Sequence, residues 1–308
     1  IQFAFFSQWY ELKDYANKKG IAIIGDIPIF TAPDSADVWA NKELFKLDSK
    51  GYPLEVAGVP PDYFSATGQL WGNPLYDWDA MKDDGYRWWI ERVRNQLDQV
   101  DYIRIDHFRG FEGYYAIPGG AATARDGVWR QGPGIELFHA VRAALGDLPI
   151  IAEDLGFLTE GVHRLREECG FPGMKVLQFA FDSREDSDYL PHNYPRHCVV
   201  YTGTHDNDTI MGWMHTASPE DVRFAWEYLR LTEAEGPNWG MMCGALQSPG
   251  DTVILTMQDL LGLGSEARMN IPSTLGCNWK WRAAPDSITP ELADRLHHVT
   301  GLYRRLPR

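Results

Sequence analysis

The chain has 308 residues, with 29 Lys and Arg against 43 Asp and Glu, so its formal net charge is −14. This acidic balance argues against binding to the phosphate backbone of nucleic acids, which needs clustered basic residues. The longest apolar runs fall short of the roughly 20 residues that cross a bilayer. The four cysteines are widely spaced, which excludes a disulfide framework or a zinc knuckle and predicts a cytoplasmic protein.

Six segments are predicted strands, because each is a short, mostly apolar run. In chain order they are 21–30, 102–108, 149–155, 174–181, 198–204 and 252–258. Several are continuous β-branched or aromatic runs rather than clean alternations, which indicates parallel strands that are covered on both faces.

Helical periodicity fills the intervals between these strands. The first predicted helix carries the stripe Phe5, Trp9, Leu12 and Ala16, and a second stripe runs over 86–100. Further helices are predicted at 135–145, at 162–169 before Gly170, and after the N-caps Ser218 and Thr289, each of which precedes a proline.

Alternating strands and helices predict an α/β fold, either a doubly wound sheet or a (β/α)8 barrel. Long inserts at 31–79 and 109–133 follow strands. This favours the barrel, because barrel enzymes enlarge the loops that follow their strands. Six strands do not close an eight-stranded barrel. We therefore expect a single catalytic barrel domain over 1–308 that lacks its first two strands.

Three acidic residues come at the carboxyl ends of predicted strands, which meet at one mouth in a barrel. They are Asp106, Glu153 and Asp206. Carboxylates with separated pKa values serve glycoside chemistry, in which one stays ionised as nucleophile and another is protonated as acid. A third carboxylate can favour a positively charged transition state.

The surroundings of these acids strengthen that interpretation. Arg104 lies two residues before Asp106, on the same face of the strand, where a guanidinium would keep the carboxylate ionised. A single acid at a strand end is about as commonly a loop or cap residue. Three such acids, with His107 and His205 adjacent, favour a catalytic site.

Seven stretches carry a family resemblance. They lie at 25–39, 57–78, 102–118, 152–156, 172–181, 202–209 and 270–282, and they include RIDHFRG, AEDLG and THDN. As an ordered set they resemble the 4-alpha-glucanotransferases of glycoside hydrolase family 77, also called amylomaltases or disproportionating enzymes, in the α-amylase clan. The resemblance implies that 21–30 is the third barrel strand, so the chain is expected to be truncated at its N-terminus.

The resemblance also implies roles for the three acids. Asp106 would be the nucleophile that forms a glycosyl-enzyme intermediate, and Glu153 the general acid/base. Asp206 would stabilise the transition state, with His205 beside it, and Arg104 would support the nucleophile.

Further substrate-binding residues follow from the same resemblance. Besides Arg104 and His205 they are His107, Asp34, Tyr63, Phe64, Trp71, Asn278 and Trp279. The aromatic residues of the 57–78 insert, with Tyr76 among them, could stack on glucose rings. The alternative for Trp71 and Tyr76 is that they pack the insert onto the barrel.

The implied reaction is a retaining transfer between α-1,4-glucans or maltooligosaccharides, with glucose or maltose as acceptor, and it needs no cofactor and no metal. We expect the carboxyl groups of Asp106 and Glu153 to lie about 5–6 Å apart, as retention requires. An α-amylase-type hydrolase and an inactive carbohydrate-binding fragment are the alternatives.

Overall fold

The computed structural model describes residues 1–61, 65–156, 158–184, 186–272 and 274–307. The chain has an α/β fold that divides into two compact units, Ile1–Gly173 and Met174–Arg308. The helices of the first unit are α1 Gln2–Lys18, α2 Ala36–Ala40, α3 Trp78–Asp83, α4 Arg87–Gln99, α5 Ile135–Leu145 and α6 Glu160–Cys169.

The first unit is built on three parallel strands in the order β1-β4-β7. They are β1 Ile24–Pro28, β4 Tyr102–Asp106 and β7 Ile150–Ala152, in three of the predicted segments. Strand β7 and the central residues 103–105 of β4 are buried, as their apolar sequences predict.

The two predicted inserts form an antiparallel sheet that the sequence did not indicate. Its order is β3-β2-β5-β6, with β2 Glu55–Val59, β3 Gln69–Pro74, β5 Gly113–Pro118 and β6 Val128–Gln131. The first insert supplies β2 and β3, and the second supplies β5 and β6, so the pairing of β2 with β5 joins segments far apart in the chain. An ion pair between Arg130 and Glu55 also links the two inserts.

An aromatic core lies beneath this sheet and helix α4. Tyr76 is fully buried, and its hydroxyl donates a hydrogen bond to the carbonyl oxygen of Ile29 at 2.7 Å. Its ring contacts Trp78 and Trp89, with centroids 4.9 and 5.8 Å away. Tyr76 therefore packs the insert, and the interpretation that it stacks on a sugar is wrong.

The second unit contains a three-stranded sheet of order β10-β9-β8. The strands are β8 Gly173–Val176, which begins at the unit boundary, β9 Cys198–Tyr201 and β10 Thr252–Ile254. The helices are α7 Ile210–Thr216, α8 Pro219–Leu229, α9 Pro237–Gln247, α10 Met257–Leu260 and α11 Pro290–Leu302. As predicted, Ser218 and Thr289 cap α8 and α11 through their hydroxyl oxygens.

Three strand predictions in this unit extend too far, and the predicted 198–204 strand ends at Tyr201. Residues Leu177–Ala180 form a turn of 3-10 helix rather than the end of β8, and Met257 begins α10. Both stretches are apolar, and a short apolar run does not distinguish a strand from a buried helical turn. In the described part of the chain, no helix is long and apolar enough to cross a membrane.

Gly58 provides a test of the antiparallel sheet. The register between β2 and β3 shifts there, and a Cβ atom on Gly58 would lie 2.2 Å from the carbonyl oxygen of Gln69. We expect Gly58→Ala to lower the free energy of unfolding by about 2 kcal/mol, measured by urea denaturation. Gly113→Ala is the control, because its Cβ would meet only the Arg130 carbonyl oxygen at 3.5 Å. Equal stability of the two variants would contradict the observed β2–β3 register.

Candidate active site

The register of the three parallel strands sets four charged residues side by side. Asp26 on β1 pairs with Arg104 on β4, and two residues later Pro28 pairs with Asp106. Ile105 pairs with Ala152 of β7, so the same register continued by one residue brings Asp106 beside Glu153. Residues i and i+2 of a strand share a face, which is why Arg104 and Asp106 project together.

Arg104 is the centre of this group. Its Nη1 atom lies 2.7 Å from Oδ2 of Asp26, and its Nη2 atom lies 3.0 Å from Oδ1 of Asp106. The Arg104 side chain is only 10% exposed. Burial disfavours the charged guanidinium, but Asp26, Asp106 and Glu153 together raise the pKa of Arg104, so it stays charged.

Glu153 follows β7 and occupies a different electrostatic environment. Its Oε2 accepts a hydrogen bond from the backbone amide of His107 at 2.7 Å, and its Oε1 accepts one from that of Leu155 at 3.0 Å. Burial, followed by the negative charge of Asp106, raises the pKa of Glu153 to about 7. Arg104 and the two amide donors oppose this rise. Near neutral pH a large fraction of Glu153 therefore carries a proton.

His107 forms one wall of this group. Its backbone is left-handed, with φ of 52°, which directs its amide toward Glu153. The indole ring of Trp71 meets the His107 ring edge-on, with centroids 4.8 Å apart. Burial, together with the charge of Arg109, lowers the pKa of His107 to about 4, so the imidazole is neutral at pH 7. Trp71 is 38% exposed and therefore presents apolar surface beside His107.

The second unit holds a separate group around Asp206. The Oδ1 atom of Asp206 accepts a hydrogen bond from the Asn270 side chain at 2.6 Å, and its backbone carbonyl accepts one from Arg268 at 2.5 Å. The His205 Nε2 atom lies 3.5 Å from Oδ2 of Asp206. The carboxylate thus contacts Asn270 and His205, while Arg268, from the same later loop as Asn270, holds the Asp206 backbone.

The two residues of the 270–282 motif behave differently. Trp279 is 60% exposed, and its ring lies 5.1 Å from that of His205. The Asn278 side chain instead holds its own loop: its Oδ1 accepts from the Ile271 amide at 3.0 Å, and its Nδ2 donates to the Thr274 carbonyl at 3.1 Å. Trp279 is therefore available to a ligand, while the amide of Asn278 is engaged in loop structure.

The structure connects most of the predicted site residues within each unit. Arg104, Asp106, His107, Glu153 and Trp71 form one group, and His205, Asp206 and Trp279 form the other. Asp34 is exposed in the turn between β1 and α2. The predictions for Tyr63 and Phe64 lie outside the described residues.

Sequence reasoning missed three residues of these groups. Asp26, Arg268 and Asn270 each contact a predicted site residue from a distant segment. For Asp26 a signal was present, because a polar residue in an apolar strand beside a predicted parallel neighbour needs a partner. Among the described residues, no three His, Cys, Asp or Glu side chains are grouped to hold a metal ion.

The group around Arg104 has the elements of acid/base chemistry coupled to a nucleophile. One carboxylate is ion-paired, and its neighbour is partly protonated near neutral pH. Such a pair can supply a proton on one side of a bond while presenting an anion on the other.

Residues 1–288 match the model of glycoside hydrolase family 77, described as 4-alpha-glucanotransferase. The chain therefore belongs to this family. It is 52% identical over 307 residues to the 4-alpha-glucanotransferase of Clostridium butyricum, and 49% identical over 312 residues to that of Thermus thermophilus. These alignments cover 99% of this chain but only 63% and 62% of the relatives, so the chain spans about three fifths of their length.

Solved structures agree with this assignment. The amylomaltase of Streptococcus agalactiae in complex with acarbose superposes with a TM-score of 0.96 at 45% identity, covering 99% of this chain and 62% of that one. The amylomaltase of Corynebacterium glutamicum gives a TM-score of 0.78 at 19% identity, covering 97% and 49%, and supports the fold alone.

The charge coupling between the two carboxyls can be measured. We expect the 13C resonance of the Glu153 carboxyl to titrate with a midpoint near pH 7. Asp106→Asn should lower this midpoint, because it removes the negative charge that raises the pKa of Glu153. Asp98→Asn, on an exposed part of α4, is the control and leaves the midpoint unchanged. A wild-type midpoint near 4.5 would show that Glu153 is not perturbed.

Proposed function

We propose that the protein is a 4-alpha-glucanotransferase, which moves α-1,4-glucan segments between maltooligosaccharides by a retaining double displacement. The observation that carries the proposal is the Arg104 group, in which an ion-paired Asp106 adjoins a partly protonated Glu153. Family membership and the acarbose-bound amylomaltase relative support an α-glucan as substrate. We propose that residues 1–308 form part of a (β/α)8 barrel, as a single catalytic domain. Strands β1, β4 and β7 would be three of the parallel barrel strands.

In the first half of the reaction, Glu153 donates its proton to the glycosidic oxygen, and Asp106 attacks the anomeric carbon. The glucan on the far side leaves with a new hydroxyl group, and a glycosyl ester forms on Asp106. Arg104 supports this step, because its guanidinium forms an ion pair with the attacking carboxylate and holds it in place.

In the second half, the 4-hydroxyl of an acceptor sugar, such as glucose or maltose, replaces the departed glucan. Glu153, now ionised, takes the hydroxyl proton while the oxygen attacks the anomeric carbon, and Asp106 is released. Asp206 is the proposed third carboxylate, which stabilises the positive charge on the sugar ring in both transition states. Its hydrogen bond from Asn270 fixes its orientation.

Transfer exceeds hydrolysis only when an acceptor, rather than water, meets the glycosyl ester. Trp71 and Trp279 are proposed to bind glucose rings by stacking, because both indoles are partly exposed beside polar site residues. His107, His205 and Asp34 are proposed to contact sugar hydroxyls. The four cysteines are present as thiols, which supports the proposed cytoplasmic location.

Incubation with maltotriose tests the proposed function. We expect glucose and oligomers longer than three units, resolved by chromatography, and at least a thousandfold less of both with Asp106→Asn or Glu153→Gln. Because Glu153 must begin protonated, the rate should fall as pH rises above about 7. The Asp98→Asn variant serves as the control with full activity.

Two other outcomes would overturn the proposal. A rise in reducing ends without longer products would identify a hydrolase. Saturable binding of maltotriose, detected by calorimetry, without any product would identify a carbohydrate-binding protein.

A donor that needs no protonation separates the roles of the two carboxyls. With α-maltosyl fluoride, Glu153→Gln should still form the covalent intermediate, because fluoride leaves without a proton. Intact-protein mass spectrometry should therefore detect a maltosyl adduct on Glu153→Gln and none on Asp106→Asn. An adduct on Asp106→Asn would contradict the assignment of the nucleophile.

A further inference from the structure

Arg104 is shared between two carboxylates, only one of which has a role in the proposed reaction. Asp106 binds one Nη atom at 3.0 Å, while Asp26 binds the other at the shorter distance of 2.7 Å. The Asp26 and Asp106 side chains are similarly exposed, at 45% and 44%. The guanidinium is therefore not dedicated to the nucleophile.

The backbone fixes this sharing. Asp26 and Arg104 are direct partners in the parallel register of β1 and β4, with Ile27 paired to Ile105 in the next position. Since Ile27 and Ile105 are both nearly fully buried, neither strand can slip without moving apolar side chains out of the core. Asp26 consequently stays beside Arg104 for as long as the β1–β4 register is kept.

We propose that Asp26 is a positioning residue for the glycosyl transfer, which orients the Arg104 guanidinium toward Asp106 and offsets part of its positive charge at Glu153. This inference rests on the proposed function, because Asp106 and Glu153 are its nucleophile and acid/base. Asp26 would act through Arg104, with which it forms an ion pair.

The charged groups that face this cluster define the expected effect. In the described residues, Arg104 interacts with Asp26 from β1, Asp106 from β4 and Glu153 after β7. Glu153 interacts with Asp106 and Arg104, and with the amides of His107 and Leu155. The neutral His107 adds no charge at pH 7.

Removal of the Asp26 charge should therefore make the site more positive. In Asp26→Asn the shape and one oxygen acceptor for Arg104 remain, but the full guanidinium charge then acts on Glu153. Ionised Glu153 becomes more favourable, so its pKa falls and less of it is protonated at neutral pH. Asp26→Glu keeps the charge and should leave Glu153 close to its wild-type state.

The test is the 13C titration of the Glu153 carboxyl in three forms of the chain, with Glu153→Gln used to assign the resonance. We expect the Glu153 midpoint to fall by about half to one pH unit in Asp26→Asn, because the lost charge is partly screened by solvent. In Asp26→Glu the midpoint should stay within about 0.3 of the wild-type value. Asp26→Ser is smaller and also neutral, and it should shift the Glu153 midpoint in the same direction. It replaces Asp26→Asn if that variant does not fold.

A purely structural role for Asp26 predicts a different result. Because Asn retains the hydrogen bond to Arg104, such a role would leave the Glu153 midpoint unchanged in Asp26→Asn. An unchanged or raised midpoint in both neutral variants would overturn the inference. In active protein, the alkaline limb of the pH profile for maltotriose transfer should move to lower pH by the same amount as the midpoint.

The NMR measurement does not depend on turnover, so this inference and the proposed function can fail separately. Absence of transfer with a shifted midpoint would leave the electrostatic role of Asp26 standing and remove the glucanotransferase assignment. Transfer with an unshifted midpoint would support the glucanotransferase assignment and overturn the electrostatic role of Asp26.

Discussion

The parallel register of β1, β4 and β7 is the constraint on which the rest of the candidate site depends. A shift by one residue would turn Arg104 and Asp106 to the opposite face of their strand and separate them from Asp26 and Glu153. The buried isoleucines of β1 and β4 hold this register, so apolar packing determines where the charges meet. The packing of the core therefore determines the geometry of the candidate site.

The position of Arg104 among the carboxyls gives Asp106 and Glu153 different electrostatic environments. A buried guanidinium is costly alone, but three surrounding carboxyls keep Arg104 ionised. Asp106 lies within direct ion-pair distance of it, whereas Glu153 is more strongly affected by burial and by Asp106. The same cluster therefore holds Asp106 in an ion pair and raises the pKa of the adjacent Glu153. Two carboxyls that act as nucleophile and as general acid would need such a difference.

The sequence predicted the residues of the candidate site better than their surroundings. The strands that carry Asp106 and Glu153 were recognisable because buried parallel strands are continuous apolar runs. The sheet of the inserts was not, since β2 and β5 pair across more than fifty residues and β6 is wholly exposed. Asp26 could be found only from the β1–β4 register, and Tyr76 was ambiguous because a buried and a sugar-stacking tyrosine look alike in sequence. The loop bonds of Asn278 likewise depend on the folded conformation of residues 271–278.

The β4–β7 register places Asp106 beside Glu153. We propose that the two carboxyls have the spacing of a retaining enzyme, about 5–5.5 Å. The most direct test is the anomeric configuration of the sugar first released or transferred from α-maltosyl fluoride, followed by 1H NMR before mutarotation. We expect the α-anomer, because a double displacement through the ester on Asp106 retains the configuration. A β-anomer as the first product would contradict it, because direct attack by water requires carboxyls that are farther apart.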